Sequence, residues 1–373
     1  MSDNLIPLCE PSISGNAGAY VQDCLDTGWV SSVGGYVNRF EEMMAQAADT
    51  GHAIAATSGT AALHLCLLAA KIGPGDKVLV PDMTFVATVN AVKYVGAKPV
   101  FVAPTTNDWH MDVGAIETYL GGGGEATAIL PAHLLGGCAD MDPLLKLAAK
   151  YDLTVIEDAA EGLGATYKSR KVGGMGKLGA FSFNGNKMIT TGGGGMVVTN
   201  DADLAARTRH LSTQAKRPGA EYQFDDVGYN YRLTNVQAAM GCAQMEVLSD
   251  HVAKKCAIAE TYNQAFADVP GVKLMPVPDH TDCAWWMYTV LIDEAEFGMS
   301  SRDVMQALSE KKMITRPLWQ PLHEAPMYRS AAVIGDVGVS KILYDLGLSL
   351  PCSVTLTDDQ QHRVIAAIKD LAP

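Results

Sequence analysis

The chain has 373 residues, is 48% hydrophobic and 18% charged, and carries a formal net charge of −13. This length predicts one large domain plus a smaller one, and the composition is that of an ordinary globular enzyme. The acidic balance argues against nucleic acid or acidic membrane as partners, which require basic patches, although a few local cations and N–H groups can still bind an anionic substrate.

The N-terminus, Met1-Ser-Asp-Asn-Leu-Ile-Pro7, lacks a basic start followed by an apolar stretch, so no signal peptide is expected. No apolar run reaches the roughly 18 residues of a membrane span, and the expected location is cytoplasmic. The eight cysteines are scattered, with no C-x-x-C pair and no histidine at zinc-ligand spacing. They read as reduced, mostly buried thiols, and no metal is expected.

From about residue 50, short apolar runs alternate with helical patterns. Residues 52–57, 77–81, 98–102, 126–131 and 153–157 read as strands. Between them, 60–71, 85–95, 111–120 and 141–151 show helix-period apolar positions. Such alternation implies an α/β fold with a mostly parallel central sheet flanked by helices, and ligands collect at the carboxyl ends of its strands. Ser58, Asp82 to Phe85, His133, Asp158 and Glu161 all follow an expected strand. The glycine run 121–124 reads as a surface loop. A nearly unbroken helical pattern runs over 234–268 and bridges into the C-terminal part, closed by Pro270 and Gly271. Beyond it, 285–292 reads as a strand, and 301–311 and 358–371 as helices. The expected division is 1–245, an N-terminal arm with the large domain, and 246–373, a smaller α+β domain.

Lys187 lies in Phe181-Ser-Phe-Asn-Gly-Asn-Lys187, ahead of four consecutive glycines, 192–195. Upstream, Val155-Ile-Glu-Asp158 reads as a buried strand ending in a carboxylate. A lysine able to form a Schiff base, with an Asp to pair a pyridinium nitrogen, is the minimal set for pyridoxal phosphate (PLP) chemistry. Asp158 is alternatively a helix cap. Glu161, one turn on, is placed to touch the same cofactor or the substrate. Ser58-Gly59-Thr60-Ala61 ends a strand and opens a helix, where N–H groups and hydroxyls favour a phosphate, although Ser and Thr also cap helices without one. Ser182 offers another hydroxyl. Phe85 is a candidate platform for a ring, or a core aromatic. His133 follows a strand end. His323 and Arg316 share a proline-punctuated segment suited to covering a polar ligand.

These segments resemble the DegT-type nucleotide-sugar aminotransferases, fold-type I PLP enzymes. The similarity is carried by Trp29-Val-Ser31-Ser-Val-Gly34, Ser58-Gly-Thr-Ala-Ala-Leu63, Pro81-Asp-Met-Thr-Phe85 and Glu157-Asp-Ala-Ala-Glu161. It continues through Ser182-Phe-Asn-Gly-Asn-Lys187, Gly192 to Gly195, Gly228-Tyr-Asn-Tyr-Arg-Leu-Thr234 and Thr315-Arg-Pro-Leu318. The resemblance implies PLP joined to Lys187 as a Schiff base, with pyridoxamine phosphate as the intermediate form. It implies Asp158 on the ring nitrogen, Phe85 on the ring face, and Thr60, Ala61 and Ser182 on the phosphate. Asn230 would reach the phosphate of the neighbouring subunit's cofactor, so a homodimer with shared sites is expected, and Trp29, Ser31, Glu161, Arg316 and His323 are candidates for substrate contact.

The stretches Asn184 to Gly195 and His210-Leu-Ser-Thr-Gln-Ala-Lys216 are most similar to the legionaminic acid and bacillosamine type. The activity this implies is amino transfer from glutamate to C4 of UDP-4-keto-6-deoxy-N-acetylglucosamine for cell-surface glycans. The alternative is GDP-4-keto-6-deoxymannose, the perosamine synthase reaction. A PLP-dependent sugar dehydratase, in which His commonly replaces the lysine, and a non-catalytic relative fit less well.

Overall fold

The computed structural model describes residues 5–219 and 221–373. In chain order its strands are β1 (His52–Ala56), β2 (Lys77–Pro81), β3 (Lys98–Val102), β4 (Ala128–Ile129), β5 (Thr154–Asp158), β6 (Thr166–Tyr167), β7 (Arg170–Lys171) and β8 (Leu178–Ser182). There follow β9 (Gly195–Thr199), β10 (Val272–Leu274), β11 (Thr281–Asp282), β12 (Tyr288–Ile292), β13 (Arg316–Pro317), β14 (Ala332–Ile334) and β15 (Gly347–Leu350).

Eight strands form one sheet in the order β1-β9-β8-β5-β4-β2-β3-β14, in which β9 alone runs against the rest. Alternate side chains of its strands feed two separate cores, as a two-residue repeat requires. Leu79, Val100, Val102 and Val155 enter one core with Phe40, Met44, Leu144 and Leu147 from helices on that face. Val78, Val80, Phe101 and Ile156 enter the other with Leu63, Leu67, Val89 and Val92. Burial on both faces explains why these strands read as continuous apolar runs.

A second, antiparallel sheet follows in the order β10-β12-β15-β13 and packs into a third core with Tyr262, Phe266, Val304 and Val364. Two segments cross between the two halves. Ile6 bridges to Met313 in the C-terminal part, and β14 adds to the edge of the large sheet beside β3.

Three expected elements differ, the first being the strand over 126–131, which is reduced to Ala128–Ile129. The pattern over 234–268 is two helices, Asn235–Met245 and Leu248–Phe266. Val247 leaves the helical region at φ −114°, and the Glu246 carboxylate is taken by Asn16, Tyr20 and Arg39 of the N-terminal segment. The run 285–292 is extended only from Tyr288, because Trp285 turns to φ 54°. Its backbone lies so close to Gly136 that a Cβ there would sit 2.4 Å from the Trp285 nitrogen.

Candidate active site

The carboxyl ends of β1, β2, β4, β5 and β8 meet the amino end of the antiparallel β9 along one sheet edge. A cavity of about 510 Å³ opens there, within the usual size of a small-molecule site. Its floor comes from Ser58, Gly59 and Thr60 after β1, Phe85 after β2, His133 after β4, Asp158 and Glu161 at β5, and Ser182 and Lys187 from β8 onward. The small sheet and the turn leading into it supply the facing wall through Arg316 and Ser349 and through Trp286.

Lys187 is held from two sides. Its Nζ lies 3.4 Å from Glu161 Oε1 and 3.6 Å from the centre of the Trp286 ring, a position where the ring face attracts a cation. The Trp286 indole N–H donates to the carbonyl of Asn186 at 2.6 Å, which fixes the ring beside the lysine. Glu161 Oε2 accepts the backbone N–H of Leu135 at 2.9 Å. Burial pushes the Glu161 carboxyl up, and the Lys187 cation opposes the shift.

Asp158 ends β5 and is buried. The Thr88 hydroxyl donates to Oδ2 at 2.7 Å and the Ala160 N–H to Oδ1 at 3.1 Å. Burial raises this carboxyl too, and those donors, with Lys187, pull against the rise. A carboxylate kept in a buried pocket by two donors suits a cationic ring nitrogen. Below it, Glu157 accepts the N–H of Gly173 at 2.8 Å and pairs with His133 Nε2 at 2.9 Å. The Ala139 N–H donates to His133 Nδ1, so the ring carries its proton on Nε2 and gives it to Glu157.

The turn after β1 is a built anion cradle. Ser58 caps the helix Gly59–Ala69 by accepting from the Ala61 N–H at 3.1 Å. Its neighbours are packed without space for side chains. A Cβ on Gly59 would lie 2.7 Å from that of Ser182, and one on Gly195 would lie 2.3 Å from the Ser58 carbonyl oxygen. The open N-terminal amides and the Thr60 and Ser182 hydroxyls suit a phosphate. Phe85 is 53% exposed beside this cradle, which leaves its ring available to a flat ligand. The residues present therefore fit PLP: an amine, a buried carboxylate, an aromatic platform and a phosphate cradle share one cavity.

Not every expected residue is brought to this cavity. Ala61 is in the core with its N–H spent on Ser58, so it supports the helix cap rather than the wall. The His323 ring is turned to Asp82, with Nδ1 2.8 Å from Oδ2 and its own N–H on Oδ1, and it is absent from the cavity wall. It ties the proline-rich segment to the end of β2. Asn230 is exposed and bridged to Thr213. Trp29 and Ser31 are exposed, held by Asn235 through their carbonyls, and Trp29 lines a separate groove with Arg232. Trp286 and Thr88 carry no motif of their own in the sequence. The doubled tryptophan at 285–286 was the available signal, hidden by reading the segment as one strand.

A family model described as the DegT/DnrJ/EryC1/StrS aminotransferase family matches residues 11–369. The GDP-perosamine synthase of Caulobacter vibrioides is 42% identical over 366 residues, covering 97% of both chains. That of Escherichia coli O157:H7 is 38% identical over 370 residues, covering 98% of both. The crystal structure of a DegT DnrJ EryC1 StrS aminotransferase from Brucella abortus superposes with a TM-score of 0.89 at 31% identity, over 96% of this chain and 95% of that one. With the family matched along almost the whole chain and the lysine, carboxylate and phosphate cradle assembled in one cavity, the chain belongs to the DegT/DnrJ/EryC1/StrS aminotransferase family and is a PLP-dependent nucleotide-sugar aminotransferase of fold-type I.

Proposed function

We propose that the chain transfers the amino group of glutamate to C4 of GDP-4-keto-6-deoxymannose. The observation that carries this is the likeness to two GDP-perosamine synthases over nearly the full length. It favours the GDP-linked sugar over the UDP-linked N-acetylhexosamine that the 184–195 and 210–216 stretches suggest.

Bound in the cavity, PLP supplies a carbonyl that takes up and releases the amino group and a ring that draws electrons from the reacting carbon. The chain's residues do the rest. Asp158 keeps a proton on the ring nitrogen, with Thr88 and Ala160 steadying its charge. Lys187 Nζ moves a proton on and off the reacting carbon, and the Glu161 carboxylate beside it balances the amine's charge. Ser58, Gly59, Thr60 and Ser182 hold the phosphate, and Phe85 covers one ring face. Arg316, at the rim, meets the carboxylate of glutamate or the diphosphate of the sugar nucleotide. Binding energy from the remote nucleotide positions C4.

Asn230, Trp29 and Ser31 are exposed and do not line their own chain's cavity, and they serve the site of a second copy in a homodimer, the commonest closed oligomer. Exposed Trp29, Val30, Val33, Phe224 and Val227 provide the apolar area for such an interface.

The test is a panel of UDP- and GDP-linked 4-keto-6-deoxy sugars with glutamate, read as kcat/KM. The GDP substrate is expected to win by at least about tenfold, equivalent to about 1.4 kcal/mol in transition-state binding. Preference for the UDP substrate would overturn the assignment.

A further inference from the structure

Behind the wall of the cavity, three side chains distant in sequence converge on a point that the amino-transfer chemistry does not use. Lys255, from the helix Leu248–Phe266, is 2% exposed. Its Nζ donates to the Trp286 carbonyl at 2.8 Å and lies 3.5 Å from Cys9 Sγ and 3.6 Å from Cys352 Sγ. The two cysteines are strapped side by side. The Cys352 N–H donates to the Leu8 carbonyl at 2.8 Å, and the Glu10 N–H to Ser353 Oγ at 3.0 Å. Both sulfurs face the same Lys255 ammonium.

The arrangement is unusual for buried thiols. A buried ammonium needs an anion close by, and besides the Trp286 carbonyl the groups facing this one are two sulfurs. Burial works against the Lys255 charge, but Cys352 and Cys9 more than offset it. The neighbouring Cys9 thiol and the Lys255 cation draw the Cys352 thiol down, while Cys352 and burial push Cys9 up. The negative charge is therefore favoured on Cys352 over Cys9. Cys352 is buried and Cys9 is partly open to solvent. By contrast, burial is the dominant influence on Cys66, Cys242 and Cys283 and raises all three thiols.

We propose that Cys9, Cys352 and Lys255 form a dithiol oxidation site, at which a peroxide-class oxidant joins the two sulfurs as a disulfide. Peroxide reaches the partly open Cys9. The Cys9 proton passes to the neighbouring Cys352 thiolate, the Cys9 sulfur gives an electron pair to one peroxide oxygen, and the O–O bond breaks. The hydroxide released takes that proton back from Cys352 as water, leaving a Cys9 sulfenic acid beside a Cys352 thiolate. The Cys352 sulfur then attacks Cys9, the S–O bond breaks, and hydroxide leaves as water with a proton from the site. Two thiols are oxidised and one peroxide becomes two waters. Cys9 Sγ–H also donates to the Asn186 carbonyl, which accepts the Trp286 indole as well, so the oxidised form loses a hydrogen bond one peptide from Lys187.

The experiment treats the reduced, PLP-loaded full-length protein with stoichiometric hydrogen peroxide, blocks free thiols by alkylation, and maps peptides without reductant. The expected product is the Cys9 peptide joined to the Cys352 peptide, two hydrogens lighter than the pair and separated by dithiothreitol. Cys352→Ser should instead leave Cys9 trapped by dimedone as sulfenic acid, and Lys255→Met should slow joining by about tenfold or more. Should a variant fail to fold, the wild-type map still decides. Cys9 and Cys352 recovered unlinked after peroxide is consumed, or Cys9 joined equally to other cysteines, would overturn the proposal.

Discussion

At the scale of single residues, the site is a set of buried charges held against their own preference. Asp158 and Glu161 are both raised by burial, so the native protein favours their protonated forms more than the unfolded chain does. Stability from such a group is present below the ordinary carboxylate range and is lost as pH rises through its raised value. At neutral pH an ionised Asp158 therefore costs the cofactor-free protein stability. Asp158→Asn should raise its melting temperature by roughly 2 °C or more near pH 7, a gain that fades below about pH 4, while amino transfer is lost. Differential scanning fluorimetry against pH, with and without PLP, checks both halves. Lys187 and Asp158 were legible in the sequence because a glycine-flanked lysine and a strand-end carboxylate have a chemical meaning together. Trp286 and Thr88 were not, since an aromatic or a hydroxyl acquires its role only from the partner that folding brings to it. His323 misled for the same reason: nothing in its loop shows that Asp82 would claim the ring.

At the scale of elements, the site depends on β9 running against its neighbours. Because it starts where the parallel strands end, its glycine lead-in passes beside the Ser58 turn. Gly195→Ala would drive a methyl into the Ser58 carbonyl and the Gly59 amide. Parting the two segments should cost on the order of 3 kcal/mol in urea unfolding and raise the PLP dissociation constant by at least about tenfold. Strands β2 and β3 were readable to the residue, since burial on both faces leaves an uninterrupted apolar run. The break at Glu246–Val247 was not, because the helical period survives a two-residue interruption, and Glu246 there is held by Arg39, 207 residues away. Strand β14 was missed as well, being three residues that pair only with β3.

At the scale of the whole molecule, the large sheet supplies the cofactor side of the cavity, and the C-terminal part supplies Trp286 and Arg316. A homodimer would complete it with Asn230. Lys187→Ala and Asn230→Ala proteins should each be weak or inactive alone. Refolded together they should regain about a quarter of wild-type turnover, because half the dimers are mixed and each mixed dimer holds one intact site. Absence of recovery, with mixed dimers verified by native mass spectrometry, would show that Asn230 serves its own chain's site. The most direct test of the central claim is transfer of nitrogen from ¹⁵N-glutamate to GDP-4-keto-6-deoxymannose, followed by mass spectrometry of the sugar nucleotide. The predicted product is a GDP-linked 4-amino sugar one mass unit heavier than that made with ordinary glutamate, and it should be absent with Lys187→Ala. A deoxygenated sugar, or unchanged substrate with PLP-loaded wild-type protein, would contradict the account.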